Sequence, residues 1–218
     1  MYQNDALKCL TGEVRLSYCH LTQPYVNPQQ LNGKPKYSVT LLIPKTDRAT
    51  KADIDAAIAA ATQEALGTKW GGIKPPIVAT PVWDGDGVRQ SGEAFGPECK
   101  GHWVLTASSE RAPQVVDQSN ISVQLAPQDI YSGMYARVTI RFFGYANSGK
   151  KGIGCGLGNV MKTREGEPLS GGASAESDFA GIGISAVNPT PATYVTPAVV
   201  PAVNPVAINP ITGLPMPQ

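Results

Sequence analysis

The sequence predicts a mainly β fold with a single α-helix, arranged as a small barrel or sandwich. Two observations carry this. One segment has a helical period, whereas almost everything else alternates with period two in runs bounded by Gly, Pro, Asn and Asp. A doubly wound sheet, in contrast, would need a helix after most strands.

The helix is expected over about 50–66. Thr50 stands where an N-cap belongs, with Asp53 three residues on. Ile54, Ala57, Ile58, Ala61, Ala65 and Leu66 share one face, and Gly67 suits the position after the last turn. Strands are expected near 12–19, 36–43, 76–83, 101–108, 113–125, 134–145 and 152–161. Turn chemistry falls between these runs, at Asn32-Gly33, Asp84-Gly85-Asp86-Gly87 and Ser148-Gly149.

With 218 residues, 42% hydrophobic and 16% charged, the chain has enough apolar material for a core and is not disordered throughout. No run approaches the length of a membrane span. Asp5 and Lys8 interrupt the N-terminal stretch where a secretory core would lie, so a soluble protein that stays where it is made is expected.

The net charge of +1 is the sum of unlike parts. Residues 1–164 carry all 18 basic residues against 13 of the 17 acids, an excess of +5. Glu165, Glu167, Glu176 and Asp178 follow at once. From Ile182 onward there is no charge, and eight of the 19 prolines fall there. Proline removes a backbone donor and fixes φ, so an extended, disordered tail is expected. The organisation read from this is a folded domain over 1–165, an acidic Gly/Ser-rich segment over 166–181 and an uncharged Pro-rich tail over 182–218.

Metal and catalytic chemistry find little support. Cys9, Cys19, Cys99 and Cys155 form no CxxC pair, and only Cys99-x-x-His102 has ligand-like spacing; free thiols and no metal or cofactor are expected. His20 and His102 are the only histidines, and no nucleophile motif of known spacing occurs. Gly144-Tyr-Ala-Asn-Ser-Gly149-Lys150-Lys151 fits the GxxxxGK of a phosphate loop. However, Lys151 replaces the magnesium-binding hydroxyl, and the alternating glycines of 152–158 cannot sustain the helix that should follow. A nucleotide hydrolase is therefore disfavoured. Asp84-Gly-Asp86-Gly opens like a calcium loop but has Phe95 at its twelfth position, which favours a turn.

The most informative stretch is 135–145. On a strand, Ala136, Val138, Ile140, Phe142 and Gly144 share one face. Tyr135, Arg137, Thr139, Arg141, Phe143 and Tyr145 share the other. The first set is a core face. The second alternates aromatics with arginines where water is expected, which suits stacked bases with phosphates between them. The bland alternative packs Phe143 and Tyr145 under a loop and pairs the arginines with acids. Lys150 and Lys151 extend the basic track, followed by Lys162 and Arg164. Lys69-Trp70 in a Gly-rich loop offers a stacking site or, equally, an indole folded back on the core. Lys36 lies on the outer face of a strand whose Tyr37, Val39, Leu41 and Ile43 turn inward. The Trp103 face is assigned to the core, and Trp83 beside its acidic turn to structure.

A succession of segments then resembles a known family. Lys36-Tyr-Ser-Val-Thr-Leu-Leu-Ile-Pro-Lys45, the alanine-rich helix, Lys69-Trp-Gly-Gly72, Gly101-His-Trp103, Tyr131-Ser-Gly-Met-Tyr-Ala-Arg137, Lys151-Gly-Ile-Gly-Cys-Gly-Leu-Gly-Asn-Val160 and Ser174-Ala-Glu-Ser-Asp-Phe179 follow in the order found in the phage single-stranded DNA-binding proteins. The resemblance covers about 10–180. It implies an OB-like barrel, sequence-independent single-stranded DNA binding in phage DNA replication and recombination, no catalysis, and the cytoplasm of a bacterial host. By strand parity the DNA-binding candidates are Tyr135, Arg137, Arg141, Phe143, Tyr145, Lys150, Lys151, Lys36, Trp70 and Lys69. Glu176, Asp178 and Phe179 resemble the acidic, Phe-ended tip with which such proteins cover their own groove or dock replication proteins, though here 39 residues follow. A phage structural or interaction protein without nucleic-acid binding is the alternative.

Overall fold

The computed structural model describes residues 2–26, 34–89, 91–147 and 149–169. The expected acidic tip and Pro-rich tail lie outside the described residues.

Five strands pair into a closed ring: β2 (Val14–Tyr25), β3 (Lys36–Pro44), β5 (His102–Ser109), β8 (Tyr135–Asn147) and β9 (Lys150–Arg164). β2 pairs antiparallel with β3, β3 with β5, and β8 with both β9 and β2. The ring is completed where β5 runs parallel to β9 at Ser108↔Gly156. Short strands extend it: β1 (Lys8–Leu10) on β8, β4 (Val82–Asp84) on β5, and the hairpin of β6 (Val115–Asp117) and β7 (Asn120–Gln124), joined to β9 through β6.

Alternation decides what fills the ring. Val39, Leu41 and Ile43 from β3, Leu105 and Ala107 from β5, Ala136, Val138, Ile140 and Phe142 from β8, and Ile153, Cys155 and Leu157 from β9 are buried together with Leu16 and Met134. Burying a side chain such as Phe142 contributes about 1.5–3 kcal/mol. The single α-helix among the described residues, α1 (Arg48–Thr68), lays Ile54, Ala57, Ala61 and Ala65 against this core. Small residues allow close approach, and a side chain at Gly144 of β8 would collide with Ala65.

Several elements differ from the sequence expectation. α1 begins at Arg48, not at residue 50, and its N-cap is Asp47, whose carboxylate accepts from the Thr50 N–H at 3.0 Å. The Thr50 hydroxyl instead accepts from the Gly12 N–H at 2.7 Å, tying the helix to the chain before β2. Gly67 lies inside the last turn, and Lys69 is the C-cap. The strand expected over 76–83 shrinks to β4 and a bridge from Ala79 to Gly152, because Pro75, Pro76 and Pro81 withhold ladder donors. The strand expected over 113–125 folds into the β6–β7 hairpin. Its turn is held by Asp117, which accepts from both the N–H and the hydroxyl of Ser119. β1 is additional.

A second, smaller apolar cluster sits outside the ring. Leu42 and Val104, on the outer face of β3 and β5, pack with Cys99, Phe95 and Leu169. The Leu169 N–H also donates to the Ser132 carbonyl at 2.8 Å.

Candidate nucleic-acid interface

β8 presents its second face as parity requires. Arg137, Arg141 and Phe143 are exposed, and Tyr135, Thr139 and Tyr145 are half-buried. The neighbouring strand determines how these side chains lie. Opposite Arg141, Phe143 and Tyr145 in register stand Gly156, Gly154 and Gly152. A Cβ at Gly154 would stand 2.7 Å from Phe143 Cζ, and one at Gly152 would stand 2.7 Å from the Tyr145 hydroxyl oxygen. Both rings therefore rest against bare backbone, in space that any other residue would fill. Phe143 keeps 44% of its surface exposed.

Cations surround this end of β8. Lys69, at the end of α1, shares a groove with Phe143 and Tyr145. Lys150 and Lys151 line a depression with Tyr145 and Ile77. Lys8 lines an apolar trough with Arg141, Phe143 and Gly156. Phe143, Tyr145, Lys69, Lys150, Lys151 and Arg141 thus form one continuous surface.

Other candidates are placed differently. Trp70 is a correction: at 2% exposure its indole has no free face for a base, and its Nε1–H donates to the Tyr145 carbonyl at 3.0 Å. The Lys151 ammonium donates to the Trp70 carbonyl at 3.2 Å, so Trp70 props the end of β8 from beneath. Lys162 is also removed from the basic track. Its side chain is 5% exposed, bonded to the Asp129 carbonyl at 3.0 Å and paired with Glu165 at 2.6 Å. Tyr135 lies about ten residues, roughly 33 Å, from Tyr145 along the strand. Its ring is flanked by Arg164 at 3.3 Å and Arg15 at 5.9 Å, and Arg164 is paired with Glu13 at 2.9 Å.

The arginines of β8 already have partners. Arg137 Nε donates to the Thr11 carbonyl at 3.2 Å, and Arg141 Nε pairs with Asp5 at 3.2 Å. Asp5 sits below the usual carboxylate range, chiefly because it accepts from the Leu7 N–H and also through Arg141. The Arg141–Asp5 pair is exposed enough for a phosphate to compete for the guanidinium, whereas the Arg137 bond to Thr11 is partly buried.

Lys36 lies elsewhere, at the start of β3 opposite Tyr25. There β2 departs from regular alternation, with register shifts between Ser17 and His20 and between His20 and Tyr25. Tyr18 adopts φ +48° and is 59% exposed. The rings of His20 and Tyr25 stack at 4.4 Å with 10° between their planes. Tyr18 and His20 line a groove that reaches Glu98 and Leu169; on its other side Tyr18 meets Phe95 and Arg89. Sequence reasoning missed this aromatic group because a bulge breaks the period-two signal on which it relied. The strained φ of a bulky residue is visible only in the fold.

Among the described residues no His, Cys, Asp and Glu gather as a metal site. Gly144–Asn147 ends β8 and Lys150 opens β9, with Gly149 before it at φ +77°.

A closed five-stranded ring packed against α1, bearing aromatic and cationic side chains along its outer surface, defines an OB-like, mainly β protein of the class that suits single-stranded nucleic acid. The comparisons with known proteins are specific. The family model described as the single-stranded DNA-binding protein of Enterobacter phage Enc34 matches residues 7–188, and the chain belongs to this family. The solved structure of the Enc34 protein in complex with single-stranded DNA is similar over 76% of this chain and 91% of its own, at 31% identity and a TM-score of 0.64. The same protein solved as a C-terminal truncation is similar over 76% and 90%, at 30% identity and a TM-score of 0.62. Putative protein p50 of Acyrthosiphon pisum secondary endosymbiont phage 1 is 31% identical over 180 residues, spanning 78% of this chain and 90% of its own length.

Proposed function

We propose that this chain binds single-stranded DNA without sequence preference, as a phage replication protein in the cytoplasm of a bacterial host, and that it does so without catalysis. The observation that carries the reading is the row on β8. Phe143 and Tyr145 lie against the bare backbone of Gly154 and Gly152, with Lys69, Lys150, Lys151 and Arg141 around them. Flat aromatic surfaces accept any base, at about 1–3 kcal/mol per stack, and the cations neutralise phosphates. Tyr135, at the far end of the strand between two arginines, and Lys36, beside the Tyr25 stack, extend the reading to a longer path. Trp70 acts as a support and not as a platform. Membership of the Enc34 family and the relative solved with single-stranded DNA support the ligand class.

The strained, exposed Tyr18 favours a second route across β2, β3 and β5. The two routes are separated by fluorescence titration with a poly-dT oligonucleotide at two salt concentrations. If β8 carries the bases, Phe143→Ala and Tyr145→Ala weaken binding about 5- to 150-fold each, the equivalent of one lost stack, whereas Tyr18→Ala has little effect. The reverse pattern moves the site to β2. Absence of salt-sensitive affinity in the parent protein overturns the function and leaves a phage structural or interaction protein.

A further inference from the structure

β9 has a glycine at every second position from Gly152 to Gly158, alongside the outer row of β8. Three of these four are covered. Tyr145 lies over Gly152 and Phe143 over Gly154, and a Cβ at Gly158 would collide with the Thr139 hydroxyl. Gly156 differs. Among the described residues, and apart from its chain neighbours, only two atoms would lie within 4 Å of a Cβ there: the Arg141 carbonyl oxygen at 3.3 Å and Phe143 Cε1 at 3.8 Å. Arg141 stands opposite Gly156 in register but sends its guanidinium to Asp5 at 3.2 Å, which leaves the space open. The φ of Gly156 is not positive, so its backbone is one that other residues adopt. An alanine would need the neighbouring carbonyl to give by only a few tenths of an ångström.

The open space is a trough of about 330 Å³, to which Gly156, Leu157, Ile140 and Phe143 give apolar walls. Lys8 and Arg141 also line it. The Thr139 hydroxyl there is already engaged, accepting from the Asn159 N–H at 2.7 Å.

We propose that this trough is a slot for one base of the bound strand, seated beside the Phe143 ring over the bare backbone of Gly156, with the adjoining phosphate on Arg141 and Lys8. The inference rests on the reading of β8 as the DNA-binding row, and it adds a third base position to those on Phe143 and Tyr145. Apolar walls beside two cations match a nucleotide, whose flat uncharged base is joined to an anion. The Lys8 ammonium donates to a neutral partner, Gln3 Oε1 at 2.6 Å, so no acid cancels its charge in that bond. The Asp5 pair of Arg141 is exposed and open to exchange with a phosphate. The walls offer no side-chain hydrogen bond to a base edge, so the slot takes any base, as binding without sequence preference requires.

Gly156→Ala and Gly156→Val fill the slot from its floor. Both are expected to fold with melting temperatures near the parent's, and Gly156→Val to weaken poly-dT binding about 5- to 150-fold, the equivalent of one lost base contact. Photocross-linking with an oligo-dT containing 4-thiothymidine, followed by tryptic mapping, reads occupancy in the unaltered protein. The fragment 152–162 contains Gly156 and no aromatic residue, whereas 142–150 carries Phe143 and Tyr145. The parent should cross-link in both fragments, and in Gly156→Val the cross-links in 152–162 should disappear while those in 142–150 persist. Cross-links confined to 142–150 in the parent overturn the slot whether or not the variants fold, and so does an unchanged affinity in folded Gly156→Val. Where Phe143→Ala weakens binding and Gly156→Val does not, only the slot falls. Where neither does, the reading of β8 falls and takes the slot with it.

Discussion

Phe143 occupies the space that a side chain at Gly154 would need, since a Cβ there would stand 2.7 Å from the ring's Cζ. Gly154→Val must therefore displace the ring. The expected outcome is a folded protein destabilised by about 1–3 kcal/mol, with an affinity for poly-dT as low as that of Phe143→Ala. Thermal unfolding and oligonucleotide titration of the two variants check it, and an unchanged affinity in folded Gly154→Val would show that the ring's position does not matter.

Arg141 is held by Asp5, so the acid competes with any phosphate for the guanidinium. Asp5→Asn should strengthen poly-dT binding. Replacing Arg137 and Arg141 together by Ala should reduce the salt slope by about one log–log unit per lost phosphate contact. Titrations at several salt concentrations read both effects; a slope that does not change removes the arginines from the interface.

Trp70→Phe keeps an aromatic ring but loses the Nε1 donor to the Tyr145 carbonyl. The expected loss is about 1–3 kcal/mol of stability, because a polar group in a mostly buried setting is left without its partner. A denaturant titration measures this, and an unchanged midpoint would remove Trp70 from its supporting role.

The Lys162–Glu165 pair gives stability a pH dependence. Glu165 is held below its ordinary value of 4.5, first by the Lys162 ammonium and then by the Tyr131 hydroxyl. A depressed carboxyl contributes stability that is present above 4.5 and lost as pH falls through the lower folded value. The gap in melting temperature between the parent and Glu165→Gln should therefore be full at neutral pH and close in stronger acid. A gap that is constant with pH refutes the assignment.

The four thiols should be unreactive in the folded protein. Burial pushes Cys9 up to about 11 and Cys19 up to about 12, and it raises Cys155 further and Cys99 as well. The thiolate is the reactive form. Titration with a thiol reagent at pH 8 should register all four only after unfolding.

Where burial sets a two-residue period, the sequence was legible. Val138, Ile140 and Phe142 were read inward and are buried, as are Val39, Leu41 and Ile43. The helix was legible because Ile54, Ala57, Ala61 and Ala65 keep one face. Its start was misread, because Asp47 and Thr50 are both good caps and only the fold shows Thr50 engaged with Gly12. Leu42 faces out of the ring and is nevertheless buried, under residues around Phe95 and Cys99 that no periodicity reveals. The same limit applies to the candidate site. Parity placed Phe143 and Tyr145 on the outer face, whereas the burial of Trp70 and Lys162 depends on partners distant in the chain, at Tyr145 and Asp129. Tyr18 was missed because its exposure follows from a bulge.

The ring is sealed unevenly, and this bears on the order in which it assembles. β8 and β9 register along most of their length across a short turn, a local contact with little loop to close. β5 and β9 meet at one described pair, Ser108 with Gly156, far apart in the chain. Non-local pairings are the slow ones, and those with few ladder bonds are the first to open. The long hairpin is thus the natural nucleus and the β5–β9 seam the last closure. When the native protein breathes, amide exchange should report it at that seam, while the β8 row stays intact.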